Sequence, residues 1–217
     1  MANETLITLS EPRSAAAEAY RSLRTNLMFS SVENPIHTLL VTSPARDDHK
    51  SMTLANLAVT FAQGGNKTIL VDADLRQPNQ HHIWGIDSQR GLTSMMVDDR
   101  AISNPPLHAT EVDNLQVIAS GELAPNPADL LGGKRMDEII AVLKARADYI
   151  LFDSPPVLAA TDAALLGIKL DGTLLAIRAG DTRRDHTAQA RQALERVHVR
   201  VVGAVLTNAP RESKIAY

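Results

Sequence analysis

Lys50 and Ser51, adjacent in the chain, and three aspartates, Asp72, Asp74 and Asp153, are the side-chain types that phosphate chemistry uses. A lysine can reach the outer phosphates of a nucleotide, and the hydroxyl beside it can ligate Mg²⁺. Both depend on the preceding loop turning backbone N–H groups toward the phosphates. Lys50 and Ser51 follow the apolar run HTLLVTS and open a segment of helical period. Asp72 and Asp74 close a second run, KTILVDAD, and Asp153 closes another, YILFDSPP, as a Walker B strand delivers one carboxylate to the edge of a sheet. Taken singly, each aspartate reads as a turn or helix-cap residue. Three of them at strand ends beside a Lys-Ser helix start indicate a Mg-nucleotide site.

The elements that must position these residues are legible in the hydrophobic pattern. HTLLVTS, KTILVDAD, LQVIASG, YILFDSPP, GTLLAIRAG and VRVVGAVLTNAP are nearly continuous in apolar character, as strands buried on both faces are. Between them Leu54, Leu57, Ala58 and Phe61, and again Met136, Ile139, Ile140 and Leu143, recur at helical spacing. Asn126-Pro127 and Thr161-Asp162 read as helix starts. The adjacent His81 and His82 read as loop. Alternating strands and helices predict an α/β fold, a doubly wound and mostly parallel sheet, with ligands at the carboxyl ends of the strands.

A chain of 217 residues without a composition break reads as one domain, residues 1–217, with an N-terminal helical segment at about 12–30 and a short C-terminal tail at about 210–217. There are no cysteines, which excludes disulfides and thiolate metal sites, and the seven histidines lack metal-ligand spacing. A net charge of −3 with mixed signs argues against a nucleic-acid surface. No signal peptide or transmembrane segment is evident, so a cytoplasmic protein is expected.

EAYRSLRTNL, ILVDADLRQP, GLTSMM, LQVIASGELAPNPADLL, FDSPPVLAATDAALL and DGTLLAIRAGDTRR, in that order and over nearly the whole chain, resemble the cytoplasmic domain of bacterial tyrosine autokinases. These are capsular and exopolysaccharide chain-length regulators, P-loop proteins related to MinD and ParA. The resemblance implies a P-loop NTPase type of fold, ATP or ADP with Mg²⁺ as cofactors, and Lys50, Asp72, Asp74 and Asp153 as catalytic residues. It places Lys50, Ser51, Met52, Arg178 and Asn208 around the nucleotide, and Ser51, Asp72 and Asp153 on the metal. Glu18, Arg21 and Arg24 match an E-x-x-R-x-x-R pattern that implies a homo-oligomeric, ring-like interface. The implied partner is the cytosolic segment of a membrane polysaccharide co-polymerase, which would hold the protein at the inner membrane. Tyr217, the one tyrosine of the tail, is the expected phosphate acceptor.

The loop SPARDDHKSMT departs from the family pattern, because Asp47 and His49 stand where glycines are usual. A side chain forced into a left-handed conformation costs roughly 1–2 kcal/mol per position. A carboxylate about 4 Å from a phosphate charge adds on the order of 4 kcal/mol of repulsion at an effective dielectric of 20, and Asp47 and Asp48 both lie in the loop. The expectation is a pseudokinase-like regulator of polysaccharide assembly with weakened ATP binding. An active Mg-ATP-dependent autokinase is the alternative, and a MinD-like ATPase switch a second one.

Overall fold

The computed structural model describes residues 5–30, 33–46 and 48–209. Among them seven strands form one sheet: β1 (Thr38–Thr42), β2 (Thr68–Asp72), β3 (His108–Ala109), β4 (Leu115–Ile118), β5 (Tyr149–Asp153), β6 (Gly172–Arg178) and β7 (Val201–Thr207). Their order across the sheet is β3-β4-β2-β5-β1-β6-β7. Every neighbouring pair is parallel except β3 with β4. The helices are α1 (Ile7–Ser10), α2 (Ala15–Phe29), α3 (Lys50–Gln63), α4 (Gln80–Trp84), α5 (Leu92–Val97), α6 (Asp99–Ser103), α7 (Pro127–Gly132), α8 (Lys134–Lys144), α9 (Asp162–Gly167) and α10 (Arg184–Arg196).

Successive strand side chains point to opposite faces, so each apolar run is shared between two layers of core. Leu39 and Val41 of β1 pack with Leu54, Leu57 and Phe61 of α3 and with Leu27 of α2. Leu40, between them, packs on the other face with Phe152, with Met136, Ile139 and Leu143 of α8, and with Leu194 of α10. Every residue of β1 and β2 is buried. Each fully buried large aliphatic side chain of these strands contributes about 1.5–3 kcal/mol.

The six apolar runs all become strands, and the two helical repeats become the buried faces of α3 and α8. But β7, at the edge of the sheet, is not buried as expected, and Gly203, Ala204 and Leu206 are exposed. Pro127 occupies the first turn of α7, although neither Asn126 nor Thr161 caps its helix through the side chain. The N-terminal helix runs from Ala15 to Phe29, with Ser14 accepting a cap bond from the N–H of Ala17 at 3.1 Å. His81 and His82 lie in the short helix α4 rather than in a loop. The cause is Asp72, which accepts bonds from the backbone N–H groups of Asn79 and Gln80 at 3.0 and 2.9 Å and so fixes the first turn of that helix.

Candidate functional site

β5 lies between β1 and β2, and this places the chemistry. The register sets Asp153 opposite both Val41 of β1 and Asp72 of β2. Lys50 is the first residue of α3, which follows β1, so its side chain reaches back over the strand ends. Its Nζ donates to Asp74 Oδ2 at 2.8 Å, to Asp153 Oδ1 at 2.9 Å and to Ser51 Oγ at 3.3 Å. The Asp74 and Asp153 side chains are 4% and 0% exposed, so little water competes for these charges. Burial pulls the Lys50 ammonium down, but the carboxylates of Asp153 and Asp74 outweigh it and hold the pKa above the ordinary lysine value.

Asp72 is differently employed. Its Oδ1 accepts from Asp74 N at 3.3 Å, while Oδ2 takes the two donors that start α4. Burial, and then the nearby Asp153 charge, raise its pKa well above the ordinary carboxylate value against the opposing Gln80 N–H and Lys50. Asp74 Oδ1 accepts from Gln77 N at 3.0 Å and Arg76 N at 3.3 Å, which leaves Oδ2 to the lysine.

In the loop, His49 has φ 56° and ψ 29°, a left-handed conformation at one of the expected glycine positions. Asp47 lies outside the described residues. Asp48 departs from its expectation: the residue is 3% exposed and its carboxylate is turned into the protein. Oδ2 accepts from Ala45 N at 3.1 Å, and Oδ1 accepts from Arg178 N at 3.2 Å and from the Thr182 hydroxyl. Three donors thus satisfy the charge that was expected to repel phosphate. Arg178 contributes its backbone to this latch and its guanidinium to Asp181 at 3.2 Å.

Met52 and Asn208 share with His49 a cavity of about 710 Å³, bounded also by Tyr20, Leu23 and Leu206. Arg178 is not part of its lining. A larger cavity of about 1080 Å³ lies beside α5, α6 and the 122–130 segment and touches none of the site carboxylates, so its size is no guide to the chemistry. On α2, Arg21 pairs with Glu18 at 2.7 Å, whereas Arg24 turns inward and donates to the Thr60 carbonyl at 2.6 Å. Tyr217 lies outside the described residues.

Two pairings were missed in the sequence. Arg76 makes a two-pronged ion pair with Asp162, 2.9 Å for each contact, joining the loop after β2 to α9. Both residues stand inside conspicuous motifs, but nothing in their spacing says that they meet. Gln80 donates to Ser51 O and to Asp153 Oδ2, and a lone glutamine carries no sequence signal at all.

A lysine, a hydroxyl and hard carboxylate oxygens at a helix start fit a Mg-nucleotide. Mg²⁺ is usually held by one or two carboxylates together with phosphate oxygens and water. Among the described residues no group of three His, Cys, Asp or Glu is arranged to hold a metal ion by itself.

A family model described as an AAA domain matches residues 49–178. The chain is 39% identical over 209 residues to the tyrosine-protein kinase YwqD of Bacillus subtilis, covering 96% of this chain and 87% of that protein. It is 29% identical over 215 residues to the tyrosine-protein kinase etk of Escherichia coli, covering 99% of this chain but 30% of that longer one. The solved kinase domain of the Escherichia coli kinase superposes with a TM-score of 0.89 at 28% identity, over 100% of this chain and 85% of that one. MinD of Pyrococcus horikoshii, complexed with Mg-ADP, superposes with a TM-score of 0.66 at 21% identity, over 78% of this chain and 69% of that one, and so shares the fold.

Proposed function

The chain belongs to the bacterial tyrosine-protein kinase family of P-loop proteins, and from that premise we propose that it is a Mg-nucleotide-binding kinase-family domain with a weakened, pseudokinase-like phosphate grip. Its proposed role is in capsular or exopolysaccharide assembly and export, on the cytoplasmic side of the inner membrane. The observation that carries the reading is the convergence of Lys50, Asp74 and Asp153 from three separate elements within hydrogen-bonding distance.

Bound Mg-ATP would supply the transferable phosphoryl group. Lys50 would release its carboxylates and turn to phosphate oxygens, while Ser51 and Asp153 would hold the metal. Asp74, freed of the lysine, would orient an incoming tyrosine hydroxyl and accept its proton. Asp72, with both oxygens committed to backbone donors, would support the metal site from behind. The left-handed strain at His49, about 1–2 kcal/mol, is already carried by the unliganded fold and acts on stability. The grip would be weakened instead by side chains at positions 47 and 49, where the family has glycine, standing close to the phosphates.

Isothermal titration with ATP and ADP, with and without Mg²⁺, tests this reading. Binding much weaker than micromolar is expected, and the double substitution Asp47→Gly, His49→Gly should strengthen it. Tight binding by the wild type would remove the pseudokinase-like element. The burial of the Asp48 carboxylate favours a second reading, an active autokinase, because that charge is withdrawn from the loop interior. In that case phosphate should map to Tyr217, and Asp74→Asn should abolish it. The proposed partners are other copies of the chain, meeting at Glu18 and Arg21, and a cytosolic segment of a membrane polysaccharide co-polymerase. No described helix is long and apolar enough to cross a membrane.

A further inference from the structure

Gln80 is fully buried, and its backbone N–H and side-chain amide nitrogen are both turned toward the site. Its backbone N–H donates to Asp72 Oδ2 at 2.9 Å, and its Nε2 donates to Ser51 O at 3.1 Å and to Asp153 Oδ2 at 2.8 Å. Its Oε1 accepts from the indole N–H of Trp84 at 3.2 Å. The amide orientation is set by chemistry: an indole can only donate and an ionised carboxylate can only accept. One residue therefore touches the ends of β2 and β5 and the first turn of α3, the three places that supply Asp72, Asp153 and Ser51.

We propose that Gln80 is a positioning residue of the metal site. By holding Oδ2 of Asp153 it leaves Oδ1 as the oxygen offered to a cation, and it ties that choice to the carbonyl of Ser51 and to Trp84. The inference rests on the Mg-nucleotide reading above. A neutral amide is suited to this work, because it satisfies a buried carboxylate without neutralising it. Arginine or lysine in its place would compete with the cation for the same charge. An apolar side chain of equal size would fill the space, but it would leave Asp153 free to rotate and the Trp84 N–H unpaired.

The test is ADP affinity with Mg²⁺ and in EDTA, measured by calorimetry for the wild type and for Gln80→Met, with thermal melting to establish that the variant is folded. The Mg²⁺-dependent gain in affinity should fall about tenfold in Gln80→Met, the size typical of losing a bond to a metal ligand, while affinity in EDTA stays within about twofold. Trp84→Phe, which removes only the donor to Oε1, should lose part of the gain and serves as the second probe if Gln80→Met does not fold. A gain that survives intact in the folded variants overturns the inference, as does an equal loss with and without Mg²⁺, the mark of a merely structural residue. A wild type that binds nucleotide but gains nothing from Mg²⁺ overturns it too. A wild type that binds no nucleotide at all is distinguishable from these, since it overturns the functional reading itself.

Discussion

Lys50 donates to both Asp74 and Asp153 and lies within reach of the Asp72 charge, so its loss should be felt in stability as well as in binding. Lys50→Met takes the ammonium away from the buried carboxylates and leaves them only neutral donors, a change worth about 3 kcal/mol of destabilisation near neutral pH. The deficit should shrink in acid. Asp72 has a folded pKa above its unfolded value, so the native state holds more protons than the unfolded chain between those two values. Its contribution to stability is greatest below the unfolded pKa and is lost as pH rises through the folded one. Urea unfolding of wild type and variant at about pH 7.5 and about pH 5 measures the difference, and an equal deficit at both would contradict the coupling. At His49 the sign is reversed. A glycine accepts φ 56° freely, so His49→Gly should raise stability by about 1 kcal/mol, less some gain in unfolded-chain entropy. By removing a side chain beside the phosphates, it should also strengthen ADP binding. An unchanged melting temperature would show that the loop holds no such strain, and an unchanged affinity that the imidazole does not crowd the phosphates.

Between elements, the strongest tie that sequence reasoning missed is Arg76 to Asp162. The Asp162 side chain is fully buried while that of Arg76 is 44% exposed, so removing the arginine abandons a carboxylate that cannot easily find water. Arg76→Ala should cost about 3 kcal/mol, the low end for a broken buried pair, and detach α9 from the loop after β2. Thermal unfolding measures the first effect and amide exchange in α9 the second, while a near-neutral variant would mean the pair is screened as a surface pair is. The central strands β1, β2 and β5 were legible because a parallel strand covered on both faces has no polar alternation to hide it, and Leu39, Leu40 and Val41 leave no other reading. Lys50, Ser51 and the aspartates were legible because they stand where such runs stop. The helix α4 was not, since its first turn is bonded to Asp72, a residue outside its own segment. Gln80 was invisible for the same kind of reason: its meaning lies in partners at Ser51, Asp153 and Trp84 rather than in its neighbours. The two residues of β3 are too few to carry a period.

At the scale of the molecule, α2 separates two roles that its E-x-x-R-x-x-R pattern merges. Arg24 is committed to the Thr60 carbonyl, while Glu18 and Arg21 meet on the outside of the helix. Arg24→Ala should therefore lower stability without changing assembly. If the chain associates through this helix, Arg21→Glu should shift light scattering toward the monomer over a concentration series, and a wild type that is monomeric throughout ends the interface proposal. The strand order has a further consequence, in time rather than in space. β1 and β2 are made early, yet the strand that joins them, β5, begins at Tyr149. Until it arrives, the two strands present facing unpaired edges, and Lys50 has no Asp153 to meet. Closing so long a loop before any of its contacts form is slow, so refolding followed through Trp84 emission should run in milliseconds to seconds rather than microseconds. During synthesis the same gap would be the interval in which the emerging chain is most open to pairing with a neighbour.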